Sequence, residues 1–141
     1  MYESCLEKQE KLKNLFTNFK DSNEKYHKII DLGRQLPKMD ISYKTEANLV
    51  KGCQSVMYLR GFLENDKVFF EADSDALISL GLCALLISIY SNESAETILK
   101  CPPNCLEELG ISSSLSQNRA NGLYSIHLKM KQEALRLLTS V

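Results

Sequence analysis

Ser55-Val56-Met57-Tyr58-Leu59-Arg60-Gly61-Phe62-Leu63-Glu64-Asn65-Asp66-Lys67-Val68-Phe69-Phe70-Glu71-Ala72 is the stretch that decides the fold. Residues 55–63 and 68–72 are rich in β-branched and aromatic side chains, which fit a pleated, half-buried surface. The polar tetrapeptide Glu64-Asn65-Asp66-Lys67 between them reads as a hairpin turn. Upstream, Ile41-Ser42-Tyr43-Lys44 looks extended and supplies a further strand. About three antiparallel strands are therefore expected. They are too few to close a barrel, so one face needs a layer of helices.

Helical patterns flank the strands on both sides. Residues 3–19 place Leu6, Leu12, Leu15, Phe16 and Phe19 at helical spacing among lysines and glutamates. Ser22 is the expected N-cap of a second helix, with Tyr26, Ile29, Ile30, Gly33 and Leu36 on its inner face. Pro37 ends it, because the residue before a proline is pushed out of the helical region. After the hairpin, Asp73 or Ser74 caps a helix that is apolar at nearly every position from Ala76 to Tyr90. Ser94 caps a short helix over 95–100. Cys101-Pro102-Pro103-Asn104-Cys105 interrupts, and a further turn over 106–109 closes at Gly110. A serine-rich loop then leads to Ser116, the N-cap of a last helix over 117–139, with Leu123, Ile126, Met130, Leu137 and Leu138 apolar. Helices, strands and helices in that order give an α+β class in one domain across residues 1–141.

The totals narrow the function. The chain has 141 residues, 44% of them hydrophobic and 25% charged, an ordinary globular composition. A net charge of −1 provides no broad attraction to nucleic acid or to an anionic membrane. The apolar run 76–90 is broken by Ser79, Gly81 and Ser88 and falls short of the ~18–20 residues of a membrane span. The N-terminus is charged and carries no apolar signal region. Five cysteines are an odd number and no framework of a secreted domain. A reducing cytoplasm is the expected compartment.

The chemistry centres on Leu49-Val50-Lys51-Gly52-Cys53-Gln54-Ser55. Gly-Cys at the junction of two extended runs marks a turn, since glycine accepts positive φ. A thiol on a turn can meet a partner's active site. Taken alone, the stretch favours the ordinary role of free cysteine, a small buried hydrophobe. Cys101 and Cys105 have metal-ligand spacing, but a structural zinc site needs four ligands, commonly two such pairs. His27 and His127 are isolated in sequence. A Cys53–His127 nucleophile–base pair lacks any known local signature. Asp73 and Asp75 are explained by helix capping. Arg119 sits in the first turn of the last helix, where the dipole disfavours a cation, which suggests a specific partner such as Asp73 or Asp75.

Several segments in register resemble the SufE family of sulfur-acceptor proteins. They are Tyr26-x-x-Ile29-Ile30-x-Leu32-Gly33-Arg34-x-Leu36-Pro37, Val50-x-Gly52-Cys53-Gln54-Ser55, Phe70-x-Ala72-Asp73-Ser74-Asp75-Ala76, Gly81-Leu82-x-Ala84-Leu85-Leu86, and Leu109-Gly110-Ile111 through Arg119-x-Asn121-Gly122-Leu123. Tyr58 stands where the family usually has tryptophan, and Gln117-Asn118 replaces its usual Pro-Ser. The Cys101–Cys105 pair is an addition.

The resemblance reverses the reading of Cys53. It implies an α+β fold similar to that of iron–sulfur scaffold proteins, with Cys53 accepting sulfur as a persulfide. The donor would be a pyridoxal-phosphate cysteine desulfurase of the SufS or CsdA type, which the chain would stimulate. The recipient would be an iron–sulfur scaffold such as SufB. Gly52, Gln54, Asp73, Asp75 and Arg119 would support the cysteine loop. The chain would hold no metal or cofactor of its own and act as a monomer or weak homodimer. Two other chemistries stay open: a metal-binding scaffold using Cys53 with further ligands, and a thiol redox switch at Cys101 and Cys105.

Overall fold

Strands β1 (Met57–Glu64) and β2 (Lys67–Ser74) pair antiparallel in the computed structural model, which describes residues 1–139. Glu64 faces Lys67, and the two residues between them, Asn65 and Asp66, both have positive φ. That is the two-residue turn whose twist suits a hairpin, and asparagine and aspartate tolerate the left-handed region. Met57, Leu59 and Gly61 alternate inward along β1, as do Val68, Phe70 and Ala72 along β2. The outer face carries Arg60, which pairs with Glu71 at 2.8 Å and lies over the rings of Tyr43 and Phe62.

The sheet has two strands, one fewer than expected. Ile41–Tyr43 forms a 3₁₀ turn instead of a strand, with Asp40 Oδ1 accepting the Ser42 N–H at 2.9 Å. What remains of a third strand is a single bridge, Leu49 to Tyr58, with Val50 N donating to Met57 O at 2.8 Å. β1 accordingly begins at Met57 rather than Ser55.

Helix α1 (Glu3–Phe16) buries Cys5, Gln9, Leu12 and Phe16. Leu6 and Leu15, expected inside, face solvent. Helix α2 (Ser22–Arg34) is capped by Asp21, whose side chain accepts the Glu24 N–H, so Ser22 is its first residue rather than its cap. It ends at Arg34, before Leu36. Helix α3 (Leu77–Tyr90) starts later than the acidic cap predicted. Asp73 and Ser74 close β2, and Ser74 Oγ accepts the Ala76 N–H at 3.1 Å. Helices α4 (Ala95–Lys100), α5 (Asn104–Glu108) and α6 (Ile111–Ser114) are short. The last replaces the expected serine loop. Helix α7 (Gln117–Thr139) packs on α4, β1 and α3, with Leu138 on its exposed side. No helix among the described residues is long and apolar enough to cross a membrane.

α3 is the centre of the core. It packs on α1, α2, α7 and β2, and its residues from Gly81 to Leu86 are all buried. Its crossing with α2 is close enough that backbone meets backbone. A Cβ on Gly33 would lie 2.7 Å from Gly81 N, and one on Gly81 would collide with the Ile29 carbonyl. α7 is tied to β1 by Glu133, which is buried. Its carboxylate accepts the Gly61 N–H at 3.0 Å and Arg136 Nη2 at 3.0 Å, while Arg136 Nη2 also donates to Gly61 O at 3.1 Å. Burial alone would raise this carboxyl, but the bonds from Arg136 and Gly61 outweigh it and hold it below the ordinary range.

Two stability outcomes follow from these contacts. Gly81→Ala forces α2 and α3 apart and lowers the unfolding free energy by about 3 kcal/mol in urea titration. Glu133→Gln costs about 1–3 kcal/mol at neutral pH. Because the native carboxyl titrates lower than the unfolded one, its contribution is complete above the unfolded value. It is lost as pH falls through the native one. The gap between wild type and variant therefore narrows in melts taken below about pH 4.

Candidate functional site

Six residues, 51–56, bridge the paired feet of the loop at Val50 and Met57. Gly52 takes φ +89°, where an L side chain is strained, and a Cβ there would also press 2.6 Å from Ser125 Oγ on α7. The glycine thus lets the turn lie against α7 and directs the next side chain inward. Cys53 follows. Four of the five thiols are buried, and Cys53 is the one partly exposed.

Cys53 opens into a cleft of about 510 Å³ between the loop, the start of α3 and the start of α7. Its sulfur faces Gly122, where an added Cβ would come within 3.7 Å. Leu82, Ile78 and Ile126 give the cleft apolar walls, and Asn118 and Arg119 its polar rim. Behind the sulfur, Ser55 Oγ lies 3.4 Å from Cys53 Sγ and donates to Ser79 Oγ at 3.1 Å. Cys83, on α3, is fully buried, and burial followed by the neighbouring Cys53 thiol pushes its own thiol far up. It stays neutral and unreactive.

The supporting residues divide. Gln54 and Arg119 line the cleft with Cys53. Arg119 is exposed and its guanidinium lies 5.6 Å from the Tyr26 ring centroid, so its neighbour is that ring rather than Asp73 or Asp75. Asp73 pairs with Lys44 at 2.9 Å and sits in a separate hollow with Asp75, Val56 and Tyr58 on the other side of the loop. The two aspartates do not line the cleft. Ser55 and Ser79, which touch the thiol or its partner, were not expected from sequence. Their spacing of 24 residues matches no motif.

The other candidates gather elsewhere. Cys101 and Cys105, read as loop residues, are buried beside Cys5 around Gln9. Gln9 Nε2 lies 3.8 Å from both Cys5 Sγ and Cys101 Sγ, and Gln9 Oε1 accepts the Cys105 N–H at 3.1 Å. Burial, then the Cys101 thiol, pushes Cys5 up to about 12. Burial, then Glu108, pushes Cys105 up to about 11. These are poor nucleophiles. His27 is exposed on α2. His127 stacks on Tyr90 at 5.5 Å, and burial followed by Lys131 holds its imidazole down to about 4. It lines a different cleft, with Leu86 and Pro102, so Cys53 has no histidine base beside it. Among the described residues no group of three or more histidine, cysteine or acidic side chains is placed to hold a metal.

With this geometry in hand, comparison with known proteins is specific. The model of the SufE Fe–S metabolism associated domain matches residues 10–134. SufE-like protein 1, chloroplastic/mitochondrial, of Arabidopsis thaliana is 34% identical over 131 residues, covering 92% of this chain and 35% of that protein. The chain thus spans about a third of that relative's length. The sulfur acceptor protein CsdE of Escherichia coli K12 is 33% identical over 120 residues, covering 83% of this chain and 81% of that one. The solution structure of a hypothetical protein from Thermus thermophilus superposes with a TM-score of 0.78 at 21% identity. It covers 94% of this chain and 97% of the other, and shows that the α+β fold is shared. The chain belongs to the SufE family of Fe–S metabolism associated domains.

Proposed function

We propose that this chain is a sulfur acceptor in iron–sulfur metabolism and that Cys53 carries the sulfur. The observation that carries the reading is the placement of one partly exposed thiol on a glycine turn over an open cleft, with the four others buried. Relatives named as a sulfur acceptor protein and as a cysteine desulfuration protein support it. The donor is the persulfide of a cysteine desulfurase, whose pyridoxal phosphate stays on that enzyme. Taking up its sulfur stimulates the desulfurase, because acceptance regenerates the donor cysteine.

The chemistry is thiol–disulfide exchange. The Cys53 thiolate attacks the outer sulfur of the desulfurase persulfide. The bond between that sulfur and the donor cysteine breaks as a new one to Cys53 forms. The donor leaves as thiolate and takes up a proton, so no outside oxidant is needed. The apolar walls given by Leu82, Ile78 and Ile126 shield the carried sulfur, and Arg119 on the rim balances its charge. Gln54 is exposed beside Cys53 and offers the loop or a docked partner a hydrogen bond. The Lys44–Asp73 pair, with Asp75 beside it, braces the loop from its far side. Free thiols throughout suit a reducing compartment such as the cytoplasm.

Intact-mass measurement after incubation with an active cysteine desulfurase and L-cysteine tests the assignment. Wild type gains the mass of a sulfur atom and Cys53→Ser does not. An adduct that persists in Cys53→Ser moves the acceptor to another cysteine. Arg119→Ala slows single-turnover sulfur transfer by about fivefold, the worth of one net hydrogen bond. An unchanged rate removes Arg119 from the mechanism.

A further inference from the structure

Helix α7 has two apolar faces, and the core uses one of them. Leu123, Ile126, Met130, Ala134 and Leu137 point inward and are buried. On the opposite side Tyr124 is 69% exposed, Leu128 42%, Leu135 52% and Leu138 53%. An ordinary surface helix turns charged and polar residues to that side. Here Lys131 falls between Leu128 and Leu135 and completes a regular spacing. Positions 124, 128, 131, 135 and 138 alternate by four and three residues, the d and a positions of two heptads. At 1.5 Å per residue they form a seam about 21 Å long. A seam of that spacing is what one helix presents to another. Hollows open on both flanks: Tyr124 lines one with Pro102 and Leu106, and Leu128 the other with Leu49 and Gln132. None of the seam residues lines the Cys53 cleft.

We propose that the outer face of α7 docks an acidic amphipathic helix of a partner protein, with apolar residues at heptad spacing and a carboxylate facing Lys131. Charge selects this occupant. The other cations nearby are engaged: Lys129 donates to Ala47 O at 2.7 Å, and Arg136 pairs with Glu133 at 3.0 Å. No acid pairs with Lys131 among the described residues. The positions flanking the seam, Ser125, His127, Gln132, Ala134 and Thr139, carry no carboxylate either.

A second copy of this chain is therefore a poor fit. Laid parallel, it sets Lys131 against Lys131; laid antiparallel, it sets Lys131 against Leu128 or Leu135. Neither arrangement gives the ammonium an anion, and like charges across a contact are costly. A helix with a carboxylate at that one position completes the seam. The residue that admits such a partner also rejects self-pairing, so Lys131 sets both partner and oligomeric state.

Fluorescence anisotropy of labelled synthetic peptides, each at nanomolar concentration, tests this with the full chain. The peptides are three heptads long with leucine at a and d, and each glutamate peptide has a lysine twin. In one pair the charge sits at a central d position, which meets Lys131 in parallel docking. In the other it sits at a central a position, for antiparallel docking. The chain binds one glutamate peptide about 10-fold more tightly than its lysine twin, and Lys131→Glu reverses that preference. Leu135→Glu weakens binding of the glutamate peptide about 10-fold, while its thermal melt stays with wild type because the position is exposed. Binding of neither glutamate peptide overturns the proposal, as does a preference that Lys131→Glu leaves in place. A wild-type dimer in light scattering that Leu135→Glu dissociates makes the occupant a second copy and also overturns it. Sedimentation with phosphatidylserine vesicles, lost in Leu135→Glu, makes this a membrane face and does the same. The test uses no desulfurase and leaves the Cys53 assignment untouched.

Discussion

The backbone contact between Gly33 on α2 and Gly81 on α3 is the constraint on which the rest of the molecule depends. Side chains at either position would hold the helices apart, and here the space is filled by main chain. Close approach lets α2 cover one flank of α3 while α1, α7 and the hairpin cover the others. α3 can therefore be apolar nearly all round, as its sequence is. A helix buried on every side cannot shift without disturbing all its neighbours, because protein interiors are close-packed. The rigid base of the site is thus a product of two missing side chains. The loop that carries Cys53 stands on that base and contributes little to it.

Burial sorts the five thiols into two chemical kinds. Cys5, Cys101 and Cys105 share one polar neighbour, Gln9, which occupies both ends of its amide in their midst. Cys83 lies under the Cys53 loop and is entirely enclosed. Each is closed off by its surroundings and behaves as a small hydrophobe. Cys53 escapes this treatment because the loop lifts it to the edge of a cleft. One partly exposed sulfur therefore coexists with four enclosed ones. Cys5, Cys101 and Cys105 line no part of the Cys53 cleft.

Much of this was legible in the chain. The hairpin announced itself by alternation and by Asn65-Asp66, and the central helix by its nearly unbroken apolar run from Ala76 to Tyr90. The missing strand is instructive. Ile41 and Tyr43 looked like strand residues, yet Asp40 tightens the backbone into a turn, and the Tyr43 ring is taken up by Arg60. A short capping side chain outweighed β-propensity, which depends on having a neighbouring ladder to join. In α1 the apolar residues Leu6 and Leu15 misplaced the inner face. Gln9 is inside because its hydrogen bonds are satisfied there, a fact that hydropathy cannot express. At the site, Cys53, Gly52, Gln54 and Arg119 were singled out through the pattern they share with a family, and Cys53, Gln54 and Arg119 line one cleft. Asp73 and Asp75 were grouped with them through the same resemblance, but the strand carries Asp73 to Lys44 instead. Ser79 was invisible because it joins the cleft only where α3 meets the loop.

The closed base of the loop has a mechanical consequence. Val50 and Met57 are hydrogen-bonded to one another, and six residues lie between them. A chain extends at most about 3.5 Å per residue, so a tether that must go out and return reaches only about 10 Å from its feet. Cys53, near the middle, is the farthest-travelling atom carrier on that tether. Even fully extended, the tether could not carry the thiol across a gap of many ångströms. Whatever meets this thiol must come within arm's length of the loop's feet. A tether so short turns a freely diffusing reagent into one that reacts only where shape allows it to arrive.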